Sequence, residues 1–446
     1  MAESQQNPDD DNPFRGTPME QIFGALSGQG GRAPDLGALF GQMQQMFSRP
    51  TDGGPVNWDV AKDVARQALT THGDDPAPHG GQVGAVADAA RLAETWLDRA
   101  TEVPAATVST AAWSRAEWIE ATSASWRRLI EPIAEHVVSA MSDAMPAEAK
   151  AMAGPLLGVL QQAGGAMFAQ QVGQALAALG SEVVSSTDIG LPLGPERVAA
   201  IVPHNVEAFG DGLEVSPADV LLYVTLRECA HHRLYAHAPW LEQALVGAID
   251  EFSRGTSIDM SAIEEQVRGL DPTRPEELAE AMQGGLFEPQ RTPQQEHAAE
   301  RLETLLAFVE GWVDDVVTQA AADMPSAPAL AEAMRRRRAS AGPAEQTFAS
   351  LVGLELRPRR LRDAANLWAA VRDRGGPGAR DDVWKHPDLM PTGDDLDDPL
   401  GYAAGERDDD TDFDAALDEL LSQGESERDG DEGGSDEQGP GGDERA

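Results

Sequence analysis

Leu226-Arg227-Glu228-Cys229-Ala230-His231-His232 is the stretch that decides how this chain is read. It lies inside a helix whose start is written just upstream. Ser216 is the cap, Pro217 takes the first helical position and Asp219 sits near the positive end. Leu221, Leu222, Val224 and Thr225 carry the helix into the heptapeptide, and Ala238-Pro239-Trp240 ends it. On a helix, positions four apart share a face. The spacing is that of H-E-x-x-H, in which two imidazoles grip one zinc ion and the glutamate between them activates the metal-bound water. Glu228 and His231 hold the second and fifth places, but Arg227 holds the first. A guanidinium has no lone pair to give, so Arg227 cannot replace an imidazole ligand.

Outward from this helix the pattern is helical almost throughout. Asn57 or Asp59 caps a helix reaching about residue 69, and a second covers about 85–100. Ser114-Arg115-Ala116-Glu117 is a capping box before a helix to about 129, with another from 132 to about 144. Residues 147–160 form one more helix, bent near Gly154-Pro155, and 164–179 is the most apolar run. In that run Gly165, Ala169, Gly173 and Ala177 recur every four residues, a stripe that lets a second helix come close. Gln170, Gln171 and Gln174 interrupt it, which favours a buried helix over a membrane span. Between 182 and 209 short β-prone pieces alternate with Gly-Pro turns, so a small β element is expected there. Further helices are expected at 241–252, 261–267, 275–282, 293–317, 327–338, 346–354 and 358–372, then an extended closing arm to Pro399. The fold class is mostly α-helical.

The 446 residues carry 34 Lys and Arg against 76 Asp and Glu, a net charge of −42, which argues against nucleic acid or an anionic membrane as partner. Residues 406–446 hold 17 acidic and 3 basic residues, so 400–446 is expected to be a disordered acidic tail. Residues 1–52, rich in Gly, Gln and Pro, form a second tail, disordered or weakly helical, with no signal peptide. The ordered domain is expected to span 53–399. One cysteine, Cys229, excludes an internal disulfide and fits the reducing cytoplasm. The acidic, Ala-, Arg- and Gly-rich composition suits an actinobacterium.

Four blocks in order resemble an actinobacterial family of zincin-like metallopeptidases, also described as hydrolases or as deazaflavin-cofactor-associated proteins. They are Asn57-Trp58-Asp59 with its helix, residues 113–132, residues 164–192 and residues 226–241. The resemblance covers roughly 53–399 and implies a zincin-like helical core. It also implies a zinc site built from H-E-x-x-H and a later E-G-H. Glu228, His231 and Glu310 match that pattern; Arg227 and Trp312 depart from it. So the resemblance implies zinc as cofactor, His231 and Glu310 as metal ligands, and Glu228 as the catalytic base, all three in one cleft.

Each candidate also has a structural reading. Glu228 can be a buried carboxylate paired with Arg227, Arg233 or His232, and His231 a hydrogen-bonded interior histidine. Cys229 lies two residues from His231, which on a helix turns the side chains to different faces, so a small buried residue is expected. The basic runs 335–338 and 357–362 read as counter-charge for the protein's own acids. The functional expectation is a zinc-dependent metallopeptidase-like hydrolase acting on a peptide or protein, its activity lowered or lost through the degenerate R-E-x-x-H motif. The alternative is an inactive pseudo-peptidase, a helical scaffold that binds a peptide or protein partner.

Overall fold

The computed structural model describes residues 54–71, 73–143, 154–255, 292–339 and 358–405, together with positions 349, 353, 354 and 356. The expected helices at 261–267 and 275–282, both tails and most of 346–354 lie outside the described residues. Within these, the helices are α1 (Trp58–Thr71), α2 (Gly80–Leu97), α3 (Arg115–Asp143), α4 (Gly154–Glu182), α5 (Pro203–Gly210) and α6 (Pro217–His237). They continue as α7 (Pro239–Arg254), α8 (Pro293–Ala320), α9 (Ala327–Ala339), α10 (Leu361–Asp382) and α11 (Pro399–Ala404). Strands β1 (Ser109–Ala112) and β2 (Val198–Ile201) pair in parallel, with Thr110 opposite Ala199. The fold is mostly α-helical. No helix among the described residues is long and apolar enough to cross a membrane.

The start signals work as written. Asn57 Oδ1 accepts from Val60 N–H at 3.1 Å, and Ser216 caps α6 by accepting from Asp219 N–H. Ser114 and Glu117 form the reciprocal capping box. Several boundaries differ: α2 starts at Gly80, set by a local capping box of His79 and Gln82, and two others differ through tertiary packing. α3 runs unbroken through Pro132, where two helices were expected. Its contacts with α1, α4 and α7 outweigh the hydrogen bond that the proline removes. α4 is likewise one helix, with Gly165 and Gly173 used for close approach, not for a break. A Cβ at Gly173 would lie 2.4 Å from the Ala61 carbonyl of α1.

The β element expected in 182–209 is β2, but its partner β1 comes from a stretch in which no element was expected; four residues of Ser, Thr and Ala carry too little pattern to mark a strand. The closing arm is not extended. It folds into three 3-10 turns, Val383–Lys385, Pro387–Leu389 and Asp394–Leu396, followed by α11. Pro387 and Pro399 start helical turns here, because proline's fixed φ suits the first helical position.

α6 is the axis of the molecule. It is packed by α2, α5, α7, α8, α9 and β2, and every residue from Leu222 to Leu234 is buried. A helix enclosed on all sides usually carries apolar residues all round. α6 instead encloses Arg227, Glu228, His231, His232 and Arg233, so each must find a partner inside the protein.

Candidate functional site

Where α6 crosses α8, His231 Nε2 lies 3.3 Å from Glu310 Oε1. The other oxygen of Glu310 is taken by the guanidinium of Arg227. Arg338 of α9 adds a third partner, its Nη2 3.2 Å from Oε1. Arg227 Nη1 also lies 3.9 Å from Asp314 Oδ1, one turn along α8. Glu310 is fully buried. Burial alone would push its carboxyl up, but the charges of Arg338 and Arg227, then His231, reverse this and hold it well below the usual carboxylate range. Gly190, at φ 80°, lets the 185–190 loop pass over the carboxylate; a Cβ there would meet Glu310 Oε1 at 3.1 Å. A void of about 10 Å³ lined by Ser185, Asp188, Arg227 and His231 has room for one water.

Glu228 is turned elsewhere. The hydroxyls of Ser186 and Thr187 and the backbone N–H groups of Thr187 and Ala200 all donate to its carboxylate. His232 Nε2 completes the set at 3.2 Å. Neither Arg227 nor Arg233 is its partner: Arg227 goes to Glu310, and Arg233 to Glu94 and Asp98. Burial raises the carboxyl, but the hydrogen bond and charge of His232, followed by Ser186 and Thr187, bring it down to about 2. Glu228 therefore ties the 185–187 loop and β2 to α6. The structure joins His231 with Glu310 but does not bring Glu228 into their group.

Trp312, in the place of the second-helix histidine, also faces away. Its Nε1 donates to Asp381 at 3.0 Å and Arg380 stacks on its ring, both on α10. The side chain that shares the Glu310 face is Asp314, four residues on. Gly311 between them fixes how closely α8 and α10 approach, since a Cβ would lie 2.8 Å from the Ala364 carbonyl carbon and the Ala365 nitrogen. Gly311→Ala should therefore destabilise the protein by at least about 1 kcal/mol, overpacking outweighing alanine's better helix propensity. A urea midpoint equal to or above wild type would contradict this.

The basic run on α9 is counter-charge. Arg335 pairs with Asp314, Arg337 with Asp188 and Arg338 with Glu310, while Arg336 reaches Glu332. In the second run Arg359 pairs with Glu303, Arg360 with Asp363 and Asp397, and Arg362 with Glu332. Cys229 is buried, and burial pushes its thiol up, the opposite of an activated nucleophile. Sequence reasoning missed Ser186, Thr187, Asp314 and Arg338 as members of these networks. The dense hydroxyls and acid of Ser185-Ser186-Thr187-Asp188, flanked by apolar residues, were the available signal for the first two.

The residues present do not fit a zinc ion. A catalytic zinc normally keeps three protein ligands; His231 and Glu310 are two, and two guanidinium groups occupy the carboxylate. Among the described residues, no group of three or more His, Cys, Asp or Glu side chains is placed to hold a metal.

The family model for zincin-like metallopeptidases matches residues 56–403. A solved structure from Chloroflexus aurantiacus, provisionally described as a hydrolase with a novel fold, superposes with a TM-score of 0.56 at 18% identity. The superposition covers 78% of this chain and 98% of that one and shows a shared fold. No curated protein matches the chain. The chain belongs to the zincin-like metallopeptidase family.

Proposed function

From that membership, we propose that this chain is a zincin-like protein without a working zinc centre, a helical scaffold in the cytoplasm that binds a peptide or protein partner. The observation that carries the reading is the enclosure of Glu310 by Arg227, Arg338 and His231. A permanent positive charge stands where a metal would have to enter, and repels it. Glu228, the residue in the base position, has its lone pairs committed to five donors and no proton vacancy turned toward Glu310.

The competing reading is a zinc-dependent hydrolase with Glu228 as base and His231 and Glu310 as ligands. It is supported by the family and by the meeting of His231 with Glu310. Elemental analysis of the full-length protein after mild dialysis separates the two, alongside a protease assay on unfolded casein with added zinc. The expected result is zinc well below one per chain and no cleavage. Stoichiometric zinc retained through dialysis would return the protein to the hydrolases.

A further inference from the structure

α6 sends its two adjacent histidines to different places. His231 enters the closed Glu310 cluster, whereas His232 lines an open cleft of about 620 Å³. That volume lies in the range of sites that take small ligands or peptide ends, about 300–1,000 Å³. Pro104, Pro192, Pro195 and Pro239 supply apolar walls.

The cleft holds more hydrogen-bonding capacity than the protein uses. Arg197 donates through Nε to the Ala106 carbonyl at 2.9 Å, and its two terminal nitrogens have no protein partner among the described residues. His237 lines the same cleft, and its Nε2 is buried without a partner among the described residues. His232 is only 9% exposed. Its Nε2 is held by Glu228, which fixes the ring and leaves Nδ1 as the nitrogen without a partner among the described residues. Of the other charged residues in the lining, Arg128 pairs with Glu242 and Arg233 with Glu94 and Asp98, while Glu196, exposed at the rim, has no ion pair among the described residues. Arg197 is an exposed cation that no ion pair among the described residues explains, in a chain of net charge −42. It is also held at φ 60°, a left-handed conformation that an arginine adopts only when its surroundings impose it.

We propose that this cleft binds a peptide through a carboxylate, either the free C-terminus or an acidic side chain. The guanidinium fork of Arg197 takes the two carboxylate oxygens, and His237 Nε2 adds a further polar contact. His232, its ring fixed by the Nε2 contact with Glu228, offers Nδ1 for a hydrogen bond to the peptide backbone. A neutral ligand would leave Arg197 unmatched; a bare anion would leave His232 unmatched. The inference rests on the reading of the chain as a peptide-binding scaffold, and it places the binding surface on the opposite side of α6 from the closed Glu310 cluster.

The test uses the full-length protein and three tetrapeptides: Ac-Ala-Ala-Pro-Leu as free acid, the same peptide as its C-terminal amide, and Ac-Ala-Glu-Pro-Leu amide. Binding is read from saturable shifts of the His237 imidazole resonances. At least one carboxylate peptide should bind about tenfold or more tighter than the neutral amide, and which one does so identifies the carboxylate that is recognised. Arg197→Gln should remove that preference while leaving the neutral peptide unaffected. Arg91→Gln, at an exposed arginine paired with Asp88, should change neither. Equal affinity for all three peptides, no saturable shift with either carboxylate peptide, or an equal loss from R91Q would overturn the proposal. Zinc analysis of the same sample tests the parent reading separately: bound zinc would sink that reading and leave the peptide result standing.

Discussion

Arg227→His should give the Glu310 centre a zinc affinity that the wild-type protein is expected to lack. The substitution removes the guanidinium from Glu310 and places an imidazole four residues before His231, on the face that meets α8. His231 is already oriented for such a role. Its Nδ1 lies 2.8 Å from the Arg227 carbonyl, which can only accept, so Nε2 is the nitrogen turned to Glu310. The variant then has two imidazoles and a carboxylate, the three ligands of a catalytic zinc. Affinity should rise by orders of magnitude, measured by elemental analysis and by competition with a chelating dye.

Arg338 still neutralises one oxygen of Glu310, so R227H/R338M should bind more tightly than R227H alone. Trp312→His should add nothing, because position 312 faces Asp381 and Arg380; the E-G-H pattern had suggested that it would complete the site. A folded R227H/R338M protein that loses all its zinc on dialysis would show that His231 and Glu310 are not a latent metal pair.

Glu228→Ala should be among the most destabilising single changes in the protein. It strands the donors of Ser186, Thr187, Ala200 and His232 in a dry interior and unties the 185–187 loop from α6. The expected loss is about 3–5 kcal/mol, the range for removing one partner of a buried charged network. Denaturant unfolding followed by circular dichroism measures it. A glutamate serving only as a catalytic base would leave the unfolding midpoint close to wild type.

The same carboxylate sets a pH dependence. Its folded value, about 2, lies below the ordinary 4.5. Its contribution is therefore fully present above about pH 4.5 and is lost as pH falls from there toward 2. Across that window wild type should lose more stability than Glu228→Gln, which has no charge to lose. Parallel acid titrations of the two proteins would contradict the assignment.

The helical class, the position of α6 and its cap, the capping box at Ser114, and the close approach of some other helix to α4 were all legible in the sequence. Caps, proline at a first turn and a four-residue stripe of small side chains act over one or two turns, and so are written locally. The missing zinc ligand was legible too, since Arg227 cannot donate a lone pair in any fold. What the sequence could not tell was where the neighbours of these residues point. Glu228 and His231 are three apart on one helix, yet one is claimed by a loop and a strand and the other by α8. Asp314 and Arg338 join the centre only because α8 and α9 cross α6 there. Trp312 leaves it because the backbone at Ala364 abuts Gly311 and α10 covers that face. Helix spacing sets which residues share a side of one cylinder; only the packing of other elements against that cylinder decides which buried charge meets which, and here it set an arginine on Glu310.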